Sequence, residues 1–375
     1  MRKGLGVYLF LTLASCSGDG TGPGPPRPIT VMTQNLYLGA ALDPVLSATP
    51  AQLPQAVALA FAQVQATNFA ERAERLADEI AATRPDVIGL QEVALYRRQS
   101  PGDAINGGTT PATTVVLDFQ QVLLAALTAR GLSYVAVATR SGLDLEAPMS
   151  TGTGPAGPTY DDLRFTDRDV ILTQSAVTTA HSAAADYVAR AFVTTGGVTI
   201  YIPRGWTSVE TSVGGSVIRI VNTHLEIEAA APFQEAQAQE LIDLLGAETH
   251  PVLLIGDFNS AANVLTTRSY GLLTSGGFHD AWAQRYPTDS GLTCCQASDL
   301  LNAASTLDQR VDIVFWRRPS RQCFARGRCW SRSSGPHDIG AVAVGSCGSS
   351  GHTDGGSPLT TLRFPHLLPR RLPHP

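Results

Sequence analysis

The sequence predicts an α/β fold of the α+β type, in which helices cover mixed rather than purely parallel sheets. Short apolar runs typical of buried strands recur along the chain, and segments with the apolar spacing of amphipathic helices lie between some of them. The two kinds of segment alternate without the regular rhythm of a doubly wound sheet. Several strand-like runs are close enough in sequence to pair antiparallel, so we expect mixed sheets.

Length and composition fit one large globular domain or two small ones. The chain has 375 residues, of which 43% are hydrophobic and 16% are charged. Its formal net charge is −5, and Lys3 is its only lysine. A protein that grips the phosphates of nucleic acid usually carries a concentrated positive surface, which this composition does not supply.

The first residues have the features of an export signal. MRKGLGVYLFLTLASCSGDG contains two basic residues, then a short apolar stretch, then Leu-Ala-Ser-Cys ending at Cys16. The apolar stretch is too short to cross a bilayer, which is typical of a secretory signal peptide. Leu-Ala-Ser-Cys resembles a bacterial lipobox, which implies a lipid on the Cys16 thiol; an ordinary signal peptide is the alternative.

Four regions are therefore predicted. Residues 1–16 form a lipoprotein-type signal peptide, and 17–28 form a flexible Pro/Gly-rich linker. Residues 29–316 form the folded domain, and 317–375 form an atypical tail rich in Arg, Pro and Gly. We expect the protein to be exported, and to be either anchored in the cell envelope through its lipid or secreted.

Seven apolar segments predict strands, because each is short and ends at polar or turn-forming residues. They are 29–39, 86–93, 133–140, 168–177, 216–228, 251–260 and 307–317. Three amphipathic segments predict helices, at 51–86, 115–131 and 232–246. Asn68 and Gly246 suit an N-cap and a C-cap, and Pro85 ends the first helical region. The polar, Gly/Pro-rich stretches 99–114 and 150–159 predict loops.

Polar side chains stand at or near the ends of the predicted strands. The set consists of Asn35, Glu92, His224, Asp257, Asn259 and Asp312. Asp257 and Asn259 lie two residues apart, so strand alternation would point both to one side while Phe258 points into the core. Polar groups at the ends of so many buried segments would be costly to bury unpaired, so together they indicate a site.

Each of these residues also has an ordinary explanation when it is taken alone. Asn35 could serve a turn, and so could Asp257 with Asn259, because Asp and Asn favour strand ends and bond to nearby backbone. Glu92 could be a surface carboxylate, and His224 could be a core histidine with satisfied hydrogen bonds. The recurrence of the pattern favours a site.

The motifs that carry these residues resemble, in order, those of the endonuclease/exonuclease/phosphatase superfamily. They are TQNLYLG, DVIGLQEV, VNTHLE, LIGDFNS and QRVDIVF, and the resemblance runs from about Ile29 to Trp316. It implies a four-layer α/β/β/α sandwich with two central mixed β-sheets and a site at one end, between the sheets. It also implies hydrolysis of a phosphoester with the help of a divalent metal ion.

The resemblance implies roles for two residues at the metal. Glu92 would ligate the cation, and Asn35 would lie beside it. Carboxylate and amide oxygens without a thiolate suit Mg²⁺, or Mn²⁺, better than a softer metal. No CxxC spacing is present, which argues against a zinc site.

The resemblance also implies catalytic roles. His224 would polarise a phosphoryl oxygen, and Asp257 would orient or deprotonate the attacking water. Asn259 would hold the phosphate, and Asp312 would position its neighbours. These roles agree with phosphoester hydrolysis, which depends on an aligned water and on donors around the phosphoryl group.

The sequence departs from the family pattern at its end. The family has a terminal Asp-His pair on its last strand, and no Ser-Asp-His occurs here. After Trp316 the composition changes abruptly, which favours a frameshift in the gene, or a sequencing error, over an authentic solvated tail. His337, which precedes an apolar run, is the favoured substitute for the terminal histidine, and His352 is the other candidate. If neither serves, the chain could fold and still be nearly inactive.

The expected activity is hydrolysis of a phosphodiester of a lipid head group or small molecule, because the acidic chain lacks a basic groove for duplex DNA. A secreted nuclease is an alternative. A non-enzymatic cell-surface binding module, which kept the fold and lost its base, is another. The expected partners are a phosphoester substrate and, through Cys16, the membrane. Nucleic acid stays open as a partner without being favoured, and we expect a monomer.

Overall fold

The computed structural model describes residues 28–319, apart from 196–197, 214–215 and 265, together with two short strands at 342–345 and 363–364. Three residues singled out in the sequence lie outside the described residues: Cys16, His337 and His352. In the described part of the chain, no helix has both the length and the apolar character needed to cross a membrane.

The strands, in chain order, are β1 (Ile29–Asn35), β2 (Val87–Gln91), β3 (Leu95–Gln99), β4 (Thr114–Asp118), β5 (Tyr134–Gly154), β6 (Gly157–Gln174), β7 (Thr179–Asp186), β8 (Ala191–Thr195), β9 (Val198–Ile202), β10 (Gly205–Val213), β11 (Ser216–His224), β12 (Val252–Asp257), β13 (His279–Asp280), β14 (Asp312–Arg317), β15 (Val342–Gly345) and β16 (Arg363–Phe364). The helices are α1 (Asp43–Leu46), α2 (Leu53–Ala66), α3 (Phe69–Thr83), α4 (Phe119–Ala129), α5 (Ala231–Gly246), α6 (Ser269–Ser275) and α7 (Ala281–Arg285).

Two large mixed sheets form the centre of the molecule. In the first, the strand order is β15-β1-β2-β6-β3-β4, with β16 paired to β1 and β5 paired to β6. In the second, the order is β13-β14-β12-β11-β10-β7, and β8 and β9 form a separate hairpin. β1 is parallel to β2, and β11 is parallel to β12, so the carboxyl ends of each pair meet at one edge of a sheet.

Three hydrophobic clusters separate four layers. One cluster lies between the two sheets, a second packs α2, α3 and α4 on the first sheet, and a third packs α5 and α6 on the second sheet. The continuous apolar run of β12 is explained by burial on both faces. Leu253 and Ile255 belong to the cluster between the sheets, while Val252 and Leu254 belong to the cluster under α5. The predicted four-layer α/β/β/α sandwich is confirmed.

The loop predicted at 150–159 is wrong. These residues are the end of a long hairpin, in which β5 and β6 stay paired as far as Gly154 and Gly157. Gly157 has a φ of +116°, which a residue with a side chain rarely adopts, so glycine marks a tight turn here rather than an irregular loop.

The predicted helices differ from the observed ones at their boundaries. The helix predicted at 115–131 begins only at Phe119, because Thr114–Asp118 pairs with β3 instead. The Asp118 side chain then accepts a hydrogen bond of 3.0 Å from the Gln120 N–H and caps α4. The region 51–86 contains two helices, and Asn68 caps the second of them as predicted.

Candidate active site

A row of functional side chains crosses the second sheet in register. His224 ends β11, Asp257 ends β12 and Asp312 begins β14. His224 is the Cα partner of Asp257 in the parallel pair, and Asp257 is the partner of Asp312 in the antiparallel pair. All three side chains are buried. Strand pairing therefore brings residues far apart in sequence to adjacent positions on one edge, with neighbouring strands about 4.8 Å apart.

The first sheet supplies Asn35 and Glu92 to the same place. The Asn35 Nδ2 donates to Glu92 Oε1 at 3.0 Å and to Asp257 Oδ2 at 2.9 Å, so one amide joins carboxylates from both sheets. Glu92 follows β2 directly with a φ of +54°, a sharp turn of the backbone at the strand end. Its other oxygen, Oε2, accepts from the Leu38 N–H at 2.7 Å.

The backbone of Tyr37 holds the Asn35 side chain in this orientation. Its Oδ1 accepts the Tyr37 N–H at 2.8 Å, which leaves the amide nitrogen to face the carboxylates. In this arrangement Asn35 fixes Glu92 and Asp257, while Glu92 offers the oxygen atoms that a cation would bind. In the described residues, no group of three or more His, Cys, Asp or Glu side chains is arranged to hold a metal ion.

Asp257 and Asn259 meet through a turn rather than through strand alternation. β12 ends at Asp257, and Asn259 has a φ of +47°, so the predicted reason for their common direction is wrong. The Asn259 N–H donates to Asp257 Oδ1 at 2.9 Å, and its Nδ2 donates to the Leu225 carbonyl at 3.0 Å. Phe258 is fully buried and packs edge-on against Phe315, as predicted for an anchor in the core.

Polar groups of three residues surround the His224 ring. The Arg204 Nη1 lies 2.9 Å from His224 Nδ1 and 3.3 Å from Nε2, so it contacts both ring nitrogens. The Nε2 atom also lies 3.8 Å from Asp257 Oδ2 and 3.1 Å from Asn259 Nδ2. Burial lowers the pKa of His224 well below its ordinary value, and Arg204 lowers it further, so the ring is neutral at pH 7.

The pKa values of the carboxyl groups of the site are shifted in the opposite direction, upward. Removal from water raises the pKa of Glu92 and of Asp257, although hydrogen bonds from Asn35 oppose both shifts. Burial raises the pKa of Asp312 well above its ordinary value, and the facing Asp257 raises it further. The Asp312 Oδ1 is buried without a hydrogen-bond partner among the described residues. A cation nearby would stabilise the ionised form of all three groups.

Arg204 is a member of this site to which the sequence analysis assigned no function. It precedes β10, and Gly205 is the Cα partner of His224. A signal was present, because RGWTSVE and SVIRIVNTH are two strand-like runs that can form a hairpin. Antiparallel pairing of such runs places the residue before the first strand beside the end of the second. The substitute for the terminal family histidine, His337 or His352, cannot be located because both residues lie outside the described part of the chain.

Solved structures similar to this chain have low sequence identity to it. An endonuclease/exonuclease/phosphatase family protein from Leptotrichia buccalis is 17% identical, with 77% of this chain and 88% of that chain covered and a TM-score of 0.43. An endonuclease/exonuclease/phosphatase from Beutenbergia cavernae is 17% identical, with 90% and 72% covered and a TM-score of 0.45. A mannosyl-6-phosphatase from Bacteroides thetaiotaomicron is 14% identical, with 77% and 85% covered and a TM-score of 0.40. No curated protein matches the chain.

A match to a family model identifies the family of this chain. The model described as the Endonuclease/Exonuclease/phosphatase family matches residues 32–334, which is more than half of the chain. The matched range contains every strand-end residue of the site, and it confirms the resemblance of the motifs. Members of that family are phosphoester hydrolases and generally depend on a divalent metal. This chain belongs to the endonuclease/exonuclease/phosphatase family.

Proposed function

We propose that this protein is a divalent-metal-dependent phosphodiesterase whose substrate is a lipid head group diester or another small phosphodiester. The observation that carries the proposal is the link between Asn35, Glu92 and Asp257, which unites the ends of both sheets. A hydrogen-bond donor, a carboxylate base and a carboxylate ligand for a cation thereby lie around one point. Hydrolysis of a phosphoester needs these groups and little covalent chemistry.

Three side chains have defined tasks in this proposal. The neutral imidazole of His224 donates to a phosphoryl oxygen, and the Asn259 amide beside it donates to the same group. Asp257 accepts a proton from the attacking water and orients it. Because removal from water raises its pKa, Asp257 is a stronger base than an exposed aspartate.

Glu92 would hold the divalent cation, Mg²⁺ or Mn²⁺, with Asn35 keeping its carboxylate in place. Its carboxylate oxygens are hard ligands, which suits these ions, and Mg²⁺ usually keeps several waters and takes only one or two protein carboxylates. When bound, the cation supplies a positive charge that stabilises the phosphoryl oxygens as negative charge develops on them.

The preference for a small or lipid-linked diester depends on charge. The chain has a net charge of −5. A polyanionic duplex would be repelled by a protein of this charge, whereas a single phosphodiester would meet it only at the catalytic groups.

Hydrolysis of three substrates, measured in parallel across a Mg²⁺ titration, tests the proposal. Bis-p-nitrophenyl phosphate represents a small diester, sphingomyelin vesicles a lipid head group, and plasmid a nucleic acid. We expect Mg²⁺-dependent cleavage of the first two and little cleavage of plasmid. Glu92→Gln should abolish cleavage and weaken Mg²⁺ binding while the protein stays folded.

Each other outcome rejects part of the proposal. Plasmid cleaved more efficiently than the small diesters would assign the protein as a secreted nuclease. A folded protein that cleaves none of the three would favour the non-enzymatic binding module. Unchanged Mg²⁺ dependence in Glu92→Gln would remove Glu92 from the metal site.

A further inference from the structure

The Arg204 guanidinium is largely buried beside the catalytic histidine. Its side chain is 13% exposed and lies between β6, β11 and the segment after β11. Nη1 is 2.9 Å from His224 Nδ1 and 3.7 Å from Asp167 Oδ2, and Nη2 is 3.6 Å from Glu226 Oε1. The two carboxylates therefore attract the cation without reaching hydrogen-bond distance.

Most of the hydrogen-bonding capacity of Arg204 is unused by its described neighbours. A guanidinium has five N–H donors, and among the described residues the hydrogen-bond-range contacts of this side chain are those from Nη1 to the two His224 ring nitrogens, at 2.9 and 3.3 Å. Its Nε is buried without a partner among the described residues. Arg140, the other arginine that acts on His224, donates to Asp169 at 2.9 Å and to Asp186 at 2.8 Å. A largely buried arginine kept for structure alone would be expected to form bonds of that kind.

An anionic substrate needs a positive charge at this acidic site, and Arg204 can supply it. A phosphodiester anion that approaches Glu92, Asp257 and Asp312 meets carboxyl groups on three sides. His224 is neutral, so it can donate a hydrogen bond but brings no positive charge. Arg140 is already bonded to carboxylates. Arg204 is the cation that faces His224 most closely in the described part of the chain.

We propose that Arg204 binds the substrate directly, donating from its guanidinium to a non-bridging phosphoryl oxygen beside the His224 imidazole. This inference rests on the proposed function. The planar fork can contact the His224 ring with one N–H and the phosphoryl group with another. Arg204 would then act twice, by holding the His224 ring in place and by balancing the charge of the anion.

Gly205 explains how the chain can present Arg204 at this place. A Cβ atom at position 205 would lie 2.3 Å from the Nε of Arg140 and 2.1 Å from the Ala185 carbonyl oxygen. Glycine therefore allows β10 to start directly above the Arg140 side chain. Arg204, the residue before this glycine, therefore lies at the end of β11, where the phosphoryl group would bind.

Three variants of the full-length protein test the proposal. Arg204→Gln removes the charge, Arg204→Lys keeps a charge without the fork, and Arg190→Gln is the control, because Arg190 lies nearby and its side chain is 46% exposed. One readout is the rise in melting temperature that inorganic phosphate causes in the presence of Mg²⁺. The second is KM and kcat for bis-p-nitrophenyl phosphate.

Arg204→Gln should abolish the phosphate-induced rise in melting temperature and increase KM by about tenfold or more, because it removes a charged hydrogen bond to the ligand. Arg204→Lys should recover part of the binding, and Arg190→Gln should match the wild type. If Arg204→Gln does not fold, an unchanged phosphate response and KM in folded Arg204→Lys would contradict the proposal, because a lysine cannot reproduce the fork.

Other outcomes separate this inference from the proposed function. A Tm loss in Arg204→Gln with KM and phosphate binding unchanged would mean that Arg204 has a structural role only. Lack of phosphate binding by the wild type would also overturn the inference. Phosphate binding that depends on Arg204 in a protein that hydrolyses no diester would support Arg204 as an anion-binding residue and reject the phosphodiesterase.

Discussion

Asn259 forms a turn and also lies within the candidate active site. Its φ of +47° is a conformation that Asn tolerates better than most residues, and its N–H closes a turn on Asp257. Its amide nitrogen also lies 3.1 Å from His224 Nε2. The two explanations that the sequence left open are therefore compatible, because the residue type that suits the turn is also the one that offers a donor.

Asn259→Asp separates these two tasks. Aspartate suits the turn equally well, but it replaces the amide donor with a negative charge beside the phosphoryl group. We expect kcat/KM for the cleaved diester to fall by roughly a hundredfold or more, which corresponds to about 3 kcal/mol. Asn263→Asp is the matched control, because Asn263 also donates to a backbone carbonyl, that of Asp308, on an exposed segment. A stable Asn259→Asp protein that loses less than about threefold would leave Asn259 with the turn alone.

Asp312 is a buried carboxyl group that lies opposite a second one. It faces Asp257 across β12 and β14, and burial and that neighbour hold its pKa well above the ordinary range. A raised folded-state pKa means that the folded chain keeps its proton longer, so stability is lost as pH rises through that pKa. Asp312→Asn removes this loss and the repulsion between the two carboxylates.

We therefore expect the unfolding free energy of metal-free Asp312→Asn to exceed that of the wild type by about 1 kcal/mol at pH 7, with little difference near pH 4. Urea denaturation across this pH range measures the difference. Asp308→Asn, at an exposed position in the same segment, should show no such gain. A difference that shrinks as pH rises would contradict the assigned direction of the Asp312 pKa.

At the scale of elements, β2 and β11 approach each other closely between the two sheets. A Cβ atom at Gly89 of β2 would lie 2.5 Å from the Asn222 Oδ1 and 2.8 Å from the Ile255 Cδ1. The Asn222 Oδ1 also accepts a 2.5 Å hydrogen bond from the Gln91 Nε2, which ties the sheets together. The close packing of the sheets therefore depends on glycine at this position.

Gly89→Ala should destabilise the protein by about 1–3 kcal/mol, because the added methyl group must displace a buried amide and an isoleucine. Gly246→Ala is the control, because a Cβ there meets no atom within 4 Å and alanine is the better helix former. Chemical denaturation of both variants measures the effect. Equal stability of Gly89→Ala and the wild type would show that the sheets have room to separate locally.

The elements that the sequence predicted best are those with their own apolar signal. The run at Val252–Asp257 and the runs that end at Asn35 and His224 could be placed because buried strands are continuous in apolar residues. The strands β7 and β9 were not predicted. Much of β7 is exposed and carries little apolar signal, and β9 is apolar in sequence but lies largely exposed in a separate hairpin. The position of Arg204 beside His224 depends on the pairing of β10 with β11, and that hairpin was not identified from the sequence.

At the scale of the whole molecule, the predicted lipid on Cys16 can be tested in cells. If Cys16 is lipidated, Cys16→Ser should move the protein from the membrane fraction to the soluble fraction. Cys323→Ser, which changes another cysteine of the same chain, should leave the distribution unchanged. Equal partitioning of the Cys16→Ser protein and the wild type would mean that the signal peptide is an ordinary one.

The direction of β1 has a consequence for how an anchored protein would reach its substrate. β1 begins at Ile29 and ends six residues later at Asn35, so the predicted tether joins the domain about 20 Å from the active-site edge. Twelve residues, 17–28, could span at most about 43 Å when fully extended. The domain would therefore have to rotate about its tether before its active-site edge could face the bilayer in which it is anchored. Deleting residues 18–25 should slow cleavage of diesters in that same bilayer several-fold and leave cleavage of soluble bis-p-nitrophenyl phosphate unchanged.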